Sequence, residues 1–226
     1  MKKLLSVAFL TFLLTFSAAA QTGGVSDRMA TDGPLTVITD DAEISVRFDR
    51  IAGDWNFLCA TVPAGRRTPA IYHMTFNHTG STYSAAFTVS KSDVGSAKAA
   101  AVPFTPPYSY LLTNVSDGTQ AGYARTQLLF QLAHTAAAGD PVTSSFVIFL
   151  VPGTGRMIGI DFADFTTGDK GAVPDLDGFW AGMRGSASDI DTFDPMARDL
   201  YQQYARQGPG PEQGKVFATW AGYGPQ

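Results

Sequence analysis

From Trp55 onward, apolar and polar residues alternate in short runs separated by turn-forming residues. Ala70, Tyr72, Met74 and Phe76 fall on one face of an extended segment, and His73, Thr75 and Asn77 on the other. Tyr83, Ala85, Phe87 and Val89 follow the same rule. Further on, Ala124, Leu128, Phe130 and Leu132 oppose Arg125, Gln127 and Gln131. A period of two marks a strand with one buried and one wet face. It predicts strands near 55–62, 70–77, 82–90, 108–115, 123–134, 142–151, 156–162 and 179–184. Asn77-His78-Thr79-Gly80-Ser81, Ser116-Asp117-Gly118-Thr119, Ala136 to Pro141 and Pro152-Gly153-Thr154-Gly155 supply the turns. Leu35 to Ile38 and Ile44 to Phe48 read as two short strands ahead of this series. Eight strands with hairpin-length links predict an all-β chain. The architecture expected is an eight-stranded antiparallel up-and-down barrel, with a sandwich as the alternative. Eight strands can enclose one small ligand.

A period near four appears only late. Met196, Leu200 and Tyr204 repeat at i, i+4 and i+8, giving a helix over 195–207 with one apolar stripe. Asp194 suits its N-cap, Pro195 its first position and Gly208 its end. Such a helix belongs on the outside of the sheet. Lys215 to Trp220 reads as a last strand.

The first residues follow another pattern. Lys2-Lys3, the apolar run Leu4 to Phe16 and Ser17-Ala18-Ala19-Ala20 have the form of a secretory signal peptide over 1–20. Residues 21–47 then form a leader and 48–226 one β domain carrying the 195–207 helix. The location expected is periplasmic or secreted. Formal charge is −4 for the whole chain and −6 without Lys2 and Lys3. With no Lys/Arg cluster, neither nucleic acid nor an anionic membrane surface is an expected partner. No other run approaches the ~20 apolar residues of a spanning helix, so no stable membrane insertion is expected. Cys59 is the single cysteine, which leaves no internal disulfide and reads as a small buried hydrophobe.

Two distant clusters frame the strands. Phe48-Asp49-Arg50-Ile51-Ala52-Gly53-Asp54-Trp55 opens them, and Phe179-Trp180-Ala181-Gly182-Met183-Arg184 closes them before a helix. Gly-x-Trp, then many strands, then Trp-x-x-x-Arg, then a helix resembles the lipocalin family over roughly Phe48 to Trp220. The resemblance implies that Gly53 and Trp55 form the first-strand motif and that Trp55 closes the barrel floor. It also implies that Arg184, following Trp180, lies across the Trp55 ring in a cation–π contact. The stretch 168–178 is longer than the pattern asks, and 114–121 lacks the turn motif of closer lipocalins. Asp54-Trp55-Asn56-Phe57-Leu58-Cys59 also resembles the opening of the bacterial invasion-associated locus B family, whose further cysteines are missing here.

Other chemistry is sparse. Nine aspartates between Asp161 and Asp199 include Asp175-Leu176-Asp177-Gly178, without the spacing of a calcium loop, and read as a solvated acidic stretch. His73, His78 and His134 read as surface or loop residues rather than a zinc site. No nucleophile elbow, P-loop, zincin or dinucleotide motif occurs. No cofactor and no metal is expected. The function expected is non-catalytic binding of a small hydrophobic molecule. The alternatives are a cavity enzyme acting on a lipid-like substrate and a pocketless cell-envelope interaction protein. Expected ligand contacts are Tyr72, Met74, Phe76, Tyr83, Phe87, Leu128, Phe130 and Leu132, provided their strands are neighbours with matching parity.

Overall fold

The computed structural model of the protein describes residues 36–61, 69–96, 99–119, 126–134, 142–151, 153–165, 174–207 and 212–222. A two-residue strand β1 (Thr36–Val37) leads into helix α1 (Asp41–Phe48). Eight long strands follow: β2 (Gly53–Thr61), β3 (Ala70–Thr79), β4 (Thr82–Ser92), β5 (Val102–Thr119), β6 (Thr126–His134), β7 (Val142–Val151), β8 (Arg156–Phe165) and β9 (Pro174–Arg184). A 3-10 turn (Ala187–Asp189) then opens helix α2 (Ile190–Arg206), and α3 (Glu212–Ala221) ends the described chain. The expected signal segment and leader, the 136–141 turn and the start of the 123–134 run lie outside the described residues.

All strand pairing is antiparallel. The sheet runs β1-β5-β4-β3-β2-β9-β8-β7-β6, and β5 pairs with β6 as well. The β5–β6 register runs from Tyr110 opposite His134 to Thr119 opposite Thr126, with a shift between Leu112 and Asn114. Each strand from β2 to β9 therefore has a hydrogen-bonded neighbour on both sides. β2 sits between β3 and β9, with Trp55 opposite both Met74 and Arg184.

The two faces bury two separate cores. Trp55, Phe57, Met74, Phe76, Phe87, Phe130, Leu132 and Trp180 point to one face, together with Phe48 and Ile51 from the N-terminal segment. Leu58, Ala60, Ile71 and Ala181 point to the other, where they meet Ile190, Phe193, Leu200 and Tyr204 of α2 and Phe217 of α3. Because neighbouring residues on one strand serve opposite cores, a one-residue slip would exchange them, and register is strongly specified. Glycines thin the first face beside Trp180. A methyl group on Gly182 would stand within 2.8 Å of the Phe57 ring edge, closer than packing allows. Gly182→Ala should therefore cost about 1–3 kcal/mol by overpacking, read as a lowered thermal midpoint; an unchanged midpoint would mean that Phe57 has room to turn.

Two expected elements change type and a third shifts its start. Ile44–Phe48 is not a strand but the end of α1, whose start is capped by the Asp40 carboxylate accepting from the Glu43 amide at 2.9 Å. Lys215–Trp220 is not a strand but lies within α3. There the buried residues Gln213, Phe217, Ala218 and Ala221 follow helical spacing. α2 begins at Ile190 rather than at Pro195, which lies inside the helix. Its start is set by Ser186, whose amide and hydroxyl both donate to Asp189 at 2.8 Å. Asp194 is accordingly no cap. The stripe is where it was expected: Leu200 and Tyr204 are buried against the sheet, and Met196 is partly so.

Candidate functional site

One end of the Trp55 face is closed by the chain that precedes β2. Gly53 has φ +103°, a conformation open to glycine, and it turns the chain from α1 into the strand. The Trp55 indole N–H donates to the Ile51 carbonyl at 2.8 Å. Arg184 spreads over the indole, its guanidinium carbon 4.6 Å from the ring centroid. Its two terminal nitrogens donate to the Ala52 carbonyl at 2.8 Å and the Arg50 carbonyl at 2.6 Å. The paired motifs therefore meet as predicted. Behind them Phe48, fully buried, is flanked by Phe76, Phe130 and Tyr83, with ring centroids 6.3, 6.2 and 5.1 Å away. Tyr83 also stacks on His78 at 4.4 Å.

The other half of this face is lined by rings in contact with one another. Trp180 lies parallel to Phe87, centroids 5.3 Å apart, and 5.2 Å from Tyr72. Tyr72 in turn meets Phe87 at 5.4 Å and stacks on Phe104 at 6.3 Å. Tyr110 meets Phe87 edge-on at 5.5 Å. Beyond them Cys59 and Tyr72 are only half buried. Among the described residues the two buried charged side chains, Lys91 and Asp194, both serve the helix side of the sheet. Among the described residues, the ring-lined half carries no buried charge of its own.

The expected ligand contacts thus divide into two groups. Phe76, Phe130 and Tyr83 gather round Phe48 at the closed end. Tyr72 and Phe87 belong to the Trp180 cluster, and Met74 and Leu132 are fully buried in the same core. Leu128 lies on β6 opposite Asp117 and Leu150, and its side chain is outside the described residues. Trp180, taken from sequence only as a motif residue, is a centre of the ring cluster. Phe104 and Tyr110 were not foreseen. Phe104 lies among Pro103, Pro106 and Pro107, which reads as a loop. Only the jump in register, from Phe87 opposite Tyr108 to Val89 opposite Pro103, returns it to the sheet.

His73 also departs from expectation, being 3% exposed rather than a surface residue. It lies on the helix side of β3 between Asn56 and Asp54. Burial pushes its pKa below the usual 6.5, against the opposing pull of Asp54 and, more weakly, Asp189. His78 bonds the Asp49 carboxylate through Nδ1 and the Gly80 carbonyl through Nε2, both at 2.9 Å. His134 shows no described side chain. No group of three or more His, Cys, Asp or Glu residues able to hold a metal ion occurs among the described residues. Asp161, Asp164, Asp175 and Asp177 have no described side chains, and Asp169 lies outside the described residues altogether. No described helix is long and apolar enough to cross a membrane. Comparison of the chain with family models, curated proteins and solved structures finds no match.

Proposed function

We propose that the protein is a lipocalin-like carrier, its eight long strands rolled into a barrel that takes up a small, uncharged, hydrophobic molecule beside Trp180. One observation carries the reading. The apolar face is stoppered at one end by Phe48 and the Trp55–Arg184 pair and ends at the other in the half-buried Tyr72 and Cys59. Strand pairing on both sides of every long strand supports the barrel. A wall of aromatic rings, with no buried charge among the described residues, suits a flat apolar ligand such as a pigment or a ring-bearing lipid. The phenol of Tyr72 would meet its polar end. The signal-like form of residues 1–20 supports a periplasmic or secreted carrier.

A second reading rests on the same rings. Their mutual contact is what a filled core also shows, which would make the protein a pocketless partner of the cell envelope. Titration with the neutral probe N-phenylnaphthylamine separates the two. A carrier binds it saturably with a Kd on the order of micromolar. Tyr72→Ala, at a half-buried position, then raises that Kd about tenfold or more while the fold persists. Occupancy should also slow labelling of Cys59 by a thiol reagent. Absence of saturable binding by the wild type would leave the filled core.

A further inference from the structure

β5 is interrupted where it passes the ring cluster. Phe87 of β4 lies opposite Tyr108, and Val89 lies opposite Pro103. Between these pairs β4 has only Thr88, whereas β5 has Phe104, Thr105, Pro106 and Pro107. The surplus residues make an enlarged bulge, and a bulge re-aims a side chain. Pro103, Pro106 and Pro107 lack an N–H, so this stretch cannot be drawn into a regular ladder. Thr105 and Pro107 are exposed, while Phe104 is half-buried and turns into the Trp55-face core. The two rings that meet here are held unequally. Tyr72, on the regular strand β3, is wedged against Trp180 at 5.2 Å and Phe87 at 5.4 Å, tilted 42° and 53° to them. Phe104 meets a single ring among the described residues, that of Tyr72. Their planes lie within 14° of parallel, with centroids 6.3 Å apart.

We propose that Phe104 and Tyr72 form an aromatic clamp that selects ligands bearing a planar unsaturated ring. The proposal rests on the carrier reading and narrows its ligand class. Tyr72 is the fixed jaw, and Phe104, carried by the bulge, is the moving one. Parallel rings about 7 Å apart, two carbon contacts of ~3.5 Å, take a third ring between them. The bulge supplies that small parting by moving Phe104 outward, without disturbing the pairs at Pro103 and Tyr108. A puckered saturated ring is thicker than one carbon layer and cannot lie flat on both faces. Burial of apolar area alone favours the saturated ring, whose surface is the larger, so only stacking reverses the order. The phenol of Tyr72 stays at the edge of the clamp, where it meets a polar substituent.

Displacement of N-phenylnaphthylamine from the full chain by naphthalene and by trans-decalin tests the clamp. The two competitors share one carbon skeleton, and only naphthalene is flat. Naphthalene should displace the probe at about tenfold lower concentration than decalin. Phe104→Leu keeps apolar bulk but removes the ring face. It should weaken naphthalene about tenfold, leave decalin within about twofold, and so abolish the preference. Phe104→Tyr keeps the face and should keep the preference. Equal displacement by the two competitors in the wild type, or a preference that survives Phe104→Leu, overturns the clamp and leaves the carrier reading standing, because both compounds still bind. A wild type that does not bind the probe removes the carrier reading and the clamp with it. Should Phe104→Leu not fold, the wild-type preference and its persistence in Phe104→Tyr decide.

Discussion

Trp55→Ala should lower the free energy of unfolding by about 3–5 kcal/mol. The indole is fully buried and sits where three parts of the chain meet. Its N–H holds Ile51, its face carries Arg184, and its edge borders Phe57 at 6.3 Å. Deleting the ring leaves a cavity and two guanidinium bonds with nothing beneath them. Arg184→Ala removes the lid but leaves the ring, and should cost about 1–3 kcal/mol. Arg184→Lys should recover little, because an ammonium cannot both lie flat on the indole and reach the Ala52 and Arg50 carbonyls in fork geometry. Urea denaturation followed by far-ultraviolet circular dichroism ranks the three. If Trp55→Ala cost less than Arg184→Ala, the closed end would be held by the loop rather than by the ring.

Asp194→Ala should be comparably damaging, at about 3–5 kcal/mol. Asp194 is buried in the second turn of α2, where one oxygen accepts from Lys91 at 2.8 Å and the other from the Gly95 amide at 2.7 Å. Burial alone would lower the pKa of Lys91, but Asp191 and Asp194 outweigh it and raise it above 10.5. The pair therefore contributes fully below the unfolded lysine value and is lost as pH rises through the raised one. Removing Asp194 strands a buried ammonium with only the exposed Asp191. The paired replacement Lys91→Met with Asp194→Leu removes both charges at once and should recover most of the loss. Thermal unfolding of the single and double variants gives the coupling directly. An additive double variant would show that the two charges do not act together.

The strands were legible because one face of segments such as Ala70–Phe76 is apolar and the other largely polar in sequence, even though α2 and α3 cover that second face and bury Ile71 and His73 there too. The Trp55–Arg184 contact was legible too, because both partners sit in recognisable local patterns. Helices α1 and α3 were not. Ile44, Val46 and Phe48 satisfy a period of two, while Ile44 and Phe48 equally satisfy a spacing of four, and the Asp40 cap breaks the tie. In α3, Val216, Ala218 and Trp220 imitate a strand, and only contact with Tyr204 at 5.3 Å shows that Phe217 leads the buried face. Asp194-Pro195 imitates a helix start because its true partner, Lys91, lies 103 residues away. Pro195 is tolerated within α2 on its exposed side, where the missing N–H is cheap. The ring cluster was half legible. Parity found Tyr72 and Phe87, but Phe104 depends on a register shift between β4 and β5 that no local signal encodes.

The pairing of β2 with β9 has a kinetic consequence. The first long strand shares its hydrogen bonds with the last, and the carbonyl that receives Arg184 stands 132 residues before it. A growing chain can zip hairpins from β2 through β8, but the β9 edge of β2 and the Arg184 face of Trp55 stay open until β9 has been made. Such long-range closure is slow, since the loop entropy is paid before the contact repays it. The nascent protein thus carries one open indole face and an unpaired β2 edge for most of its synthesis, the kind of surface that aggregation exploits.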